Sequence, residues 1–219
     1  MIRVEELTKK FKRNQKEFLA VNHVFMKVEK GEFVGVIGHS GSGKTTLFNM
    51  LAGLIKPTIG KIYIDGKEIT SMPADELADY RNQRMGYILQ GNSLLNNFTV
   101  LDNVCMPAYL STSKKGVQEK AKKMLQDMGV GHLEKEFPGN LSGGEIKRVS
   151  IARAMINEPS IILADEPTSN LDSVNSKKVM ELLRKISDRG TTVLLSTHEL
   201  EYLDYTDYKL EMKNGSVSE

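Results

Sequence analysis

Residues 38–45 read Gly-His-Ser-Gly-Ser-Gly-Lys-Thr and follow directly on the apolar run Phe33-Val34-Gly35-Val36-Ile37. The loop matches G-x-x-x-x-G-K-[ST] at every fixed position. It works only as the bend between a buried strand and a helix, and Thr46-Leu47-Phe48-Asn49-Met50-Leu51 supplies helix-compatible residues after it. The glycines let the backbone curl until successive amides point at phosphate oxygens, and the helix start adds partial positive charge. Gly38, Ser40, Gly41, Ser42, Gly43, Lys44, Thr45 and Thr46 are therefore candidate nucleotide-binding residues. Lys44 is placed to reach the β- and γ-phosphates and the Thr45 hydroxyl to ligate Mg²⁺. His39 occupies a variable position of the pattern and is given no chemistry.

The other apolar runs agree with an α/β reading. Ile161-Ile162-Leu163-Ala164 and Thr192-Val193-Leu194-Leu195 are nearly continuous, as expected of parallel strands covered on both faces. Ile2 to Leu7 and Val24 to Val28 alternate apolar and polar residues instead, which suits a half-solvated antiparallel sheet. Lys61-Ile62-Tyr63-Ile64 is a further strand between Gly60 and Asp65-Gly66, and Lys213-Asn214-Gly215-Ser216 is a hairpin signal. Residues from about 101 to 150 read as helical, most clearly at Gln118 to Leu125. The expected architecture is a mainly parallel core sheet, an antiparallel β-subdomain at the N-terminus and a helical insert. One domain, 1–219, would have a catalytic core over 1–90 and 151–219 and a helical subdomain over 91–150.

Asp165-Glu166 closes the second apolar run, where α/β sheets bind ligands at strand C-termini. Asp165 is a candidate metal ligand, and Glu166 a candidate general base for an attacking water. Leu141-Ser142-Gly143-Gly144-Glu145 leads into a helix whose apolar positions 146, 149, 152 and 156 share one face. Two glycines before a helix start can present amides and a hydroxyl to an anion; Ser142 can equally serve as a plain helix cap. Because Lys44, Asp165 and Glu166 already equip one nucleotide, a second phosphate-facing helix start implies another nucleotide.

These residues, with Gln90 after Tyr87-Ile88-Leu89, Ser169-Asn170-Leu171-Asp172, and His198 in Ser196-Thr197-His198-Glu199, resemble the nucleotide-binding subunit of an ATP-binding-cassette (ABC) transporter over essentially the whole chain. The resemblance implies ATP hydrolysis with Mg²⁺ held by Thr45, Gln90 and Asp165, and catalysis by Glu166, His198 and Lys44. It implies that Ser142, Gly143 and Gly144 act on ATP held by a second copy, in a two-fold head-to-tail dimer. Gln90 then senses Mg²⁺ and links the site to a membrane partner. His198 contacts the γ-phosphate, Asp172 lies in a loop crossing between protomers, and Phe11 stacks on adenine. By residue chemistry alone Gln90 is a loop glutamine, His198 a structural histidine, Asp172 a helix cap and Phe11 a core residue. Glu145 stands where the family more often has Gln, and Asn170 where Ala is frequent.

Leu-Ser-Gly-Gly-Glu and the run Leu94 to Val104 resemble the MacB, LolD and FtsE branch, whose permeases are of the FtsX type. The implied partners are an integral-membrane permease and an ATP-dependent second copy, in the export or extraction of a peptide, antibiotic or lipoprotein. An FtsE-like role in cell division is the alternative, and a soluble ABC ATPase acting on DNA or ribosomes a more distant one. A net charge of +2 from 30 basic and 28 acidic residues gives no nucleic-acid footprint. The lone Cys105 and the absence of a signal core or long apolar stretch point to a cytoplasmic protein held at the inner face of the membrane by its permease.

Overall fold

The computed structural model describes residues 1–13, 16–110 and 115–218. Strands β1 (Ile2–Arg13), β2 (Lys16–Val28), β4 (Ile59–Ile64) and β5 (Lys67–Glu68) form an antiparallel sheet in the order β2-β1-β4-β5. Six more strands form the core sheet in the order β10-β9-β3-β8-β7-β6: β3 (Phe33–Ile37), β6 (Met85–Ile88), β7 (Ile161–Asp165), β8 (Thr192–Thr197), β9 (Tyr208–Lys213) and β10 (Ser216–Ser218). All pairings from β9 through β6 are parallel. Only β10 runs against its neighbour, across a turn in which Asn214 and Gly215 both have positive φ. That is the backbone a two-residue type I′ hairpin demands.

The continuous apolar runs conceal a period of two. Val34, Val36, Ile161, Leu163 and Leu194 face one hydrophobic cluster. Phe33, Ile162, Ala164, Val193 and Leu195 face another on the opposite side. The first is completed by helix α1 (Lys44–Leu51), through Leu47, Phe48, Met50 and Leu51, and by Val4, Leu7, Val21 and Val24 of the antiparallel sheet. The second is completed by helix α6 (Ser173–Asp188), which joins β7 to β8 and buries Val179, Met180, Leu183 and Ile186. Burying both faces removes β7 and β8, and β3 up to Val36, from water, which is why Phe33–Val36, Ile161–Ala164 and Val193–Leu195 carry no polar side chain.

In β1 the alternation slips. The register shifts between Val4 and Leu7, where Glu6 has φ 52°. A bulge inserts one residue and reverses the phase, so Leu7 returns to the core beside Ile2 and Val4. The facing strand has its own irregularity at His23, with φ 47°.

The insert is helical: α3 (Val100–Tyr109), α4 (Val117–Asp127) and α5 (Gly143–Met155) share a third cluster that includes Val104, Ala121, Leu125, Val149, Ala152 and Ile156. Ile146 packs against it, so the four positions 146, 149, 152 and 156 do lie on one face. Helix α5 continues unbroken to Met155 while Ile151 packs in the second cluster, so a division at 150/151 falls inside one helix shared by both bodies. Asn103, fully buried on α3, accepts from Leu95 N and donates to the carbonyls of Leu95, Phe98 and Thr99. Its amide thereby fixes the loop leading from β6 into the insert.

Candidate active site

Four parallel strands deliver the site side by side. In the pairing register Ile37 lies opposite Thr197, Asp165 opposite Ser196 and Ile88 opposite Ala164. The loop after β3, Glu166 after β7, His198 after β8 and Gln90 after β6 therefore converge on the C-terminal edge of the sheet, where parallel sheets leave a crevice.

Gly43 starts α1 with φ 111°, and a Cβ there would overlap the Ala20 carbonyl oxygen. Glycine alone suits both constraints. Lys44 is 5% exposed, and its Nζ donates to the carbonyls of Gly38 at 2.6 Å and His39 at 3.2 Å. The ammonium thus closes the loop on itself and stands 3.6 Å from Glu166 Oε1. Glu166 has φ 44°, a left-handed backbone uncommon outside glycine. Its carboxylate accepts from Gln90 Nε2 at 3.0 Å and lies 3.5 Å from His198 Nδ1. One carboxylate therefore gathers three expected site residues from three loops.

Asp165 is 1% exposed and accepts a short hydrogen bond from the Ser196 hydroxyl. The Glu166 backbone N–H donates to the same hydroxyl at 3.1 Å. Ser196 is therefore the cross-strand pin of the acidic pair. Nothing in its local sequence marks it, since the role comes from its register opposite Asp165.

A cleft of about 730 Å³ opens over this edge. Among its lining residues are Phe11, Ser40, Gly41, Gly43, Lys44, Thr45, Thr46, Gln90, Glu166 and His198. Gly38, Ser42 and Asp165 do not line it, and the Ser42 hydroxyl is buried without a hydrogen-bond partner. Phe18, Leu19, Ala20, Asn214 and Gly215 line it too, none of them part of a phosphate-binding or acidic motif. Phe18 pairs with Phe11 across the β1–β2 hairpin, ring centroids 5.9 Å apart. The two rings make one apolar wall, a contact visible only once the hairpin register is known.

For a metal, the donors at hand are oxygens: the Thr45 hydroxyl, the Asp165 carboxylate and the Gln90 carbonyl, whose amide N–H is spent on Glu166. No cluster of three or more His, Cys, Asp or Glu able to hold a metal stands among the described residues. Such a sparse oxygen set suits Mg²⁺, which keeps waters and takes substrate phosphate oxygens as ligands.

Ser142, Gly143, Gly144 and Asp172 do not line this cleft. Ser142 caps α5 in a capping box with Glu145. Asp172 caps α6, accepting from Asn175 N at 2.8 Å and from Asn175 Nδ2 at 2.7 Å. Both cap readings offered by residue chemistry are realised. The structure also joins these segments, because a Cβ on Gly144 would overlap the Asn175 side chain. Gly144 is the gap that the Asn175 side chain, held by Asp172, occupies.

Comparison with known proteins agrees with this architecture. The ABC transporter family model matches residues 21–169. The chain is 42% identical over 215 residues to the lipoprotein-releasing system ATP-binding protein LolD of Buchnera aphidicola subsp. Schizaphis graminum, covering 96% of this chain and 93% of the relative. It is 39% identical to the macrolide export ATP-binding/permease protein MacB of Neisseria meningitidis serogroup B, over 99% of this chain but 34% of that longer protein. Its fold is similar to the ATP-binding cassette MJ0796, solved as a dimer in a post-hydrolysis state with ADP and Pi, with TM-score 0.93 and 34% identity over 100% of this chain and 97% of that one. By sequence and by fold, the chain belongs to the ABC transporter family as one of its ATP-binding, ATP-hydrolysing subunits.

Proposed function

We propose that the chain powers a transporter by hydrolysing ATP at the cleft over β3, β6, β7 and β8, with Glu166 as general base. The observation that carries this is the Glu166 carboxylate, held together by Lys44, Gln90 and His198 at the mouth of the phosphate loop. ATP lies with its adenine against the Phe11–Phe18 wall and its phosphates in the loop 38–45. Thr45, Gln90 and Asp165 would hold Mg²⁺, which would supply positive charge to the phosphate oxygens. Glu166 takes a proton from water as that water's oxygen bonds the γ-phosphorus in line. The bond to the bridging oxygen breaks, and ADP and phosphate leave. Lys44 leaves its carbonyl partners to meet charge developing on the γ-phosphate, and His198 orients that same phosphate.

The signature residues Ser142, Gly143 and Gly144 complete the site of a second copy in a head-to-tail ATP-bound dimer. Their position outside the chain's own cleft and the dimeric state of the similar cassette support this reading. The energy goes to an integral-membrane permease. Among the described residues no helix is long and apolar enough to cross a membrane, and LolD relatives of similar length are named for a lipoprotein-releasing system. A second cleft of about 530 Å³, where Met85, Leu95, Met106, Pro107 and Leu110 meet the polar Asp79, Arg81, Asn82 and Arg153, offers the partner a seat. Leu110, 73% exposed at its edge, fits that role. Export or extraction of a peptide, antibiotic or lipoprotein is the transport class we favour, from a cytoplasmic position at the inner membrane face.

Steady-state phosphate release tests the site. Glu166→Gln should bind ATP at near-normal affinity, lose at least about 100-fold in kcat, and accumulate as dimer on size exclusion. Hydrolysis at the unmodified rate would exclude Glu166 as the base.

A further inference from the structure

Lys147 lies on α5, one turn past the signature glycines, and is only 3% exposed. Its Nζ donates to the Leu89 and Gly91 carbonyls, each at 3.3 Å. These are the two residues flanking Gln90. Farther along the same helix, Arg153 donates through Nη1 to the Ser93 carbonyl at 2.8 Å and through Nη2 to the Ser93 hydroxyl at 2.7 Å. Two cations of one helix therefore hold the carbonyls of residues 89, 91 and 93. The Gln90 side chain goes to Glu166 instead.

We propose that Lys147 is a positioning residue for hydrolysis: by clamping both neighbours of Gln90 it makes this loop part of the signature helix, so that Gln90 moves with α5 rather than with the phosphate-loop core. A displacement of α5 is then transmitted to Glu166 through Gln90, and the signature and the base are set together. The inference rests on the proposed roles of Glu166 and Gln90.

The energetics favour a positional purpose over a stabilising one. A buried ammonium facing neutral carbonyls loses hydration that two hydrogen bonds replace only in part. Desolvation lowers the Lys147 pKa, and the Asp165 carboxylate beyond opposes that shift. A methionine, one atom shorter, would fill most of the space without this cost. What it cannot do is fix two carbonyls at once.

The test is a double-mutant cycle in single-turnover ATP hydrolysis by the full chain, with Lys147→Met, Gln90→Ala and the double variant. Lys147→Met should lower the rate about 10-fold and change the apparent Kd for ATP by less than about twofold. Lys147→Gln, whose amide still donates, should recover part of the loss. In the Gln90→Ala background Lys147→Met should cost nothing further, because the residue through which it acts is gone. A wild-type rate for Lys147→Met, no effect of Gln90→Ala, or equal losses in both backgrounds would overturn the proposal. If Lys147→Met fails to fold, Lys147→Leu, which also lacks a donor, carries the same cycle. Glu166→Gln at an undiminished rate would strike the hydrolytic site itself, an outcome separate from any result of the cycle.

Discussion

The Ser142 hydroxyl donates to Glu145 Oε2 at 2.7 Å, and the same oxygen accepts the Ser142 backbone N–H at 2.8 Å. Ser142 Oγ in turn accepts from Glu145 N. The fifth residue of the signature thus closes a reciprocal cap on the helix that presents the first four. Hydrogen bonds from the Ser142 side chain and backbone hold the Glu145 carboxyl below the usual carboxylate range. A lowered folded-state pKa means that this stability is fully present above the unfolded value near 4.5 and is lost as pH falls through the folded one. Glu145→Ala should cost about 1 kcal/mol at neutral pH. Glu145→Gln keeps an acceptor for both bonds and should cost less than about half of that. In urea titrations, the gap between wild type and Glu145→Gln should shrink as pH drops below about 4.5. A constant gap would mean that the carboxylate contributes no charge-dependent stability.

The aromatic wall predicts a binding effect without a chemical one. Phe18 is 48% exposed yet stands beside Phe11 at the rim of the cleft. A base stacked on an aromatic ring gains about 1–3 kcal/mol, and two tilted rings share that contact. Phe18→Ala should raise the KM for ATP about 5- to 10-fold and leave kcat within about twofold. Phe11→Ala should behave alike, with the double variant losing less than the product of the two. A changed kcat with an unchanged KM would place the adenine elsewhere.

What the sequence made legible follows from burial. Strands β3, β7 and β8 were readable because water touches neither face, leaving unbroken apolar runs. The α5 stripe was readable because it packs on one cluster at helical spacing. Helix α2 (Ala74–Arg84) was not, since only Leu77 of its 11 residues is buried and no apolar period exists. The Glu6 and His23 irregularities break alternation where a pattern needs it most. In the site, residues that act through backbone curvature or charge stood out: the phosphate loop, Asp165, Glu166. Ser196, Phe18 and Lys147 did not, because each owes its place to a partner far along the chain.

Cys105 gives a check on the packing of the insert. Its side chain is 1% exposed on α3, within the third cluster, and burial raises its thiol pKa above the ordinary value. Thiolate, the reactive form, is therefore scarce near neutral pH. Maleimide labelling of the native chain should be at least about 100-fold slower than in urea-unfolded protein. Rapid native labelling would show that the α3–α4–α5 cluster opens readily.

The position of the signature outside the chain's own cleft yields the sharpest test of assembly. Lys44 stands at the cleft and Ser142 does not line it, so a head-to-tail dimer draws each site from two copies. Ser142→Arg puts a long, charged side chain at the helix start and should abolish turnover at the one site which that helix start meets. Lys44→Ala should abolish it by removing the phosphate cation. A mixed dimer has one site built from an intact Lys44 and the other copy's intact Ser142; its second site carries both lesions. With random pairing half the dimers are mixed, each with one working site, so mixing equal amounts should restore about a quarter of wild-type activity if the sites fire independently. Recovery to that level from two inactive proteins can arise only by exchange of parts between copies. No recovery, with mixed dimers shown to form by differently tagged chains, would mean either that a site works wholly within one chain or that both sites must fire together. The single variants separate these: under the first, Ser142→Arg alone keeps its activity.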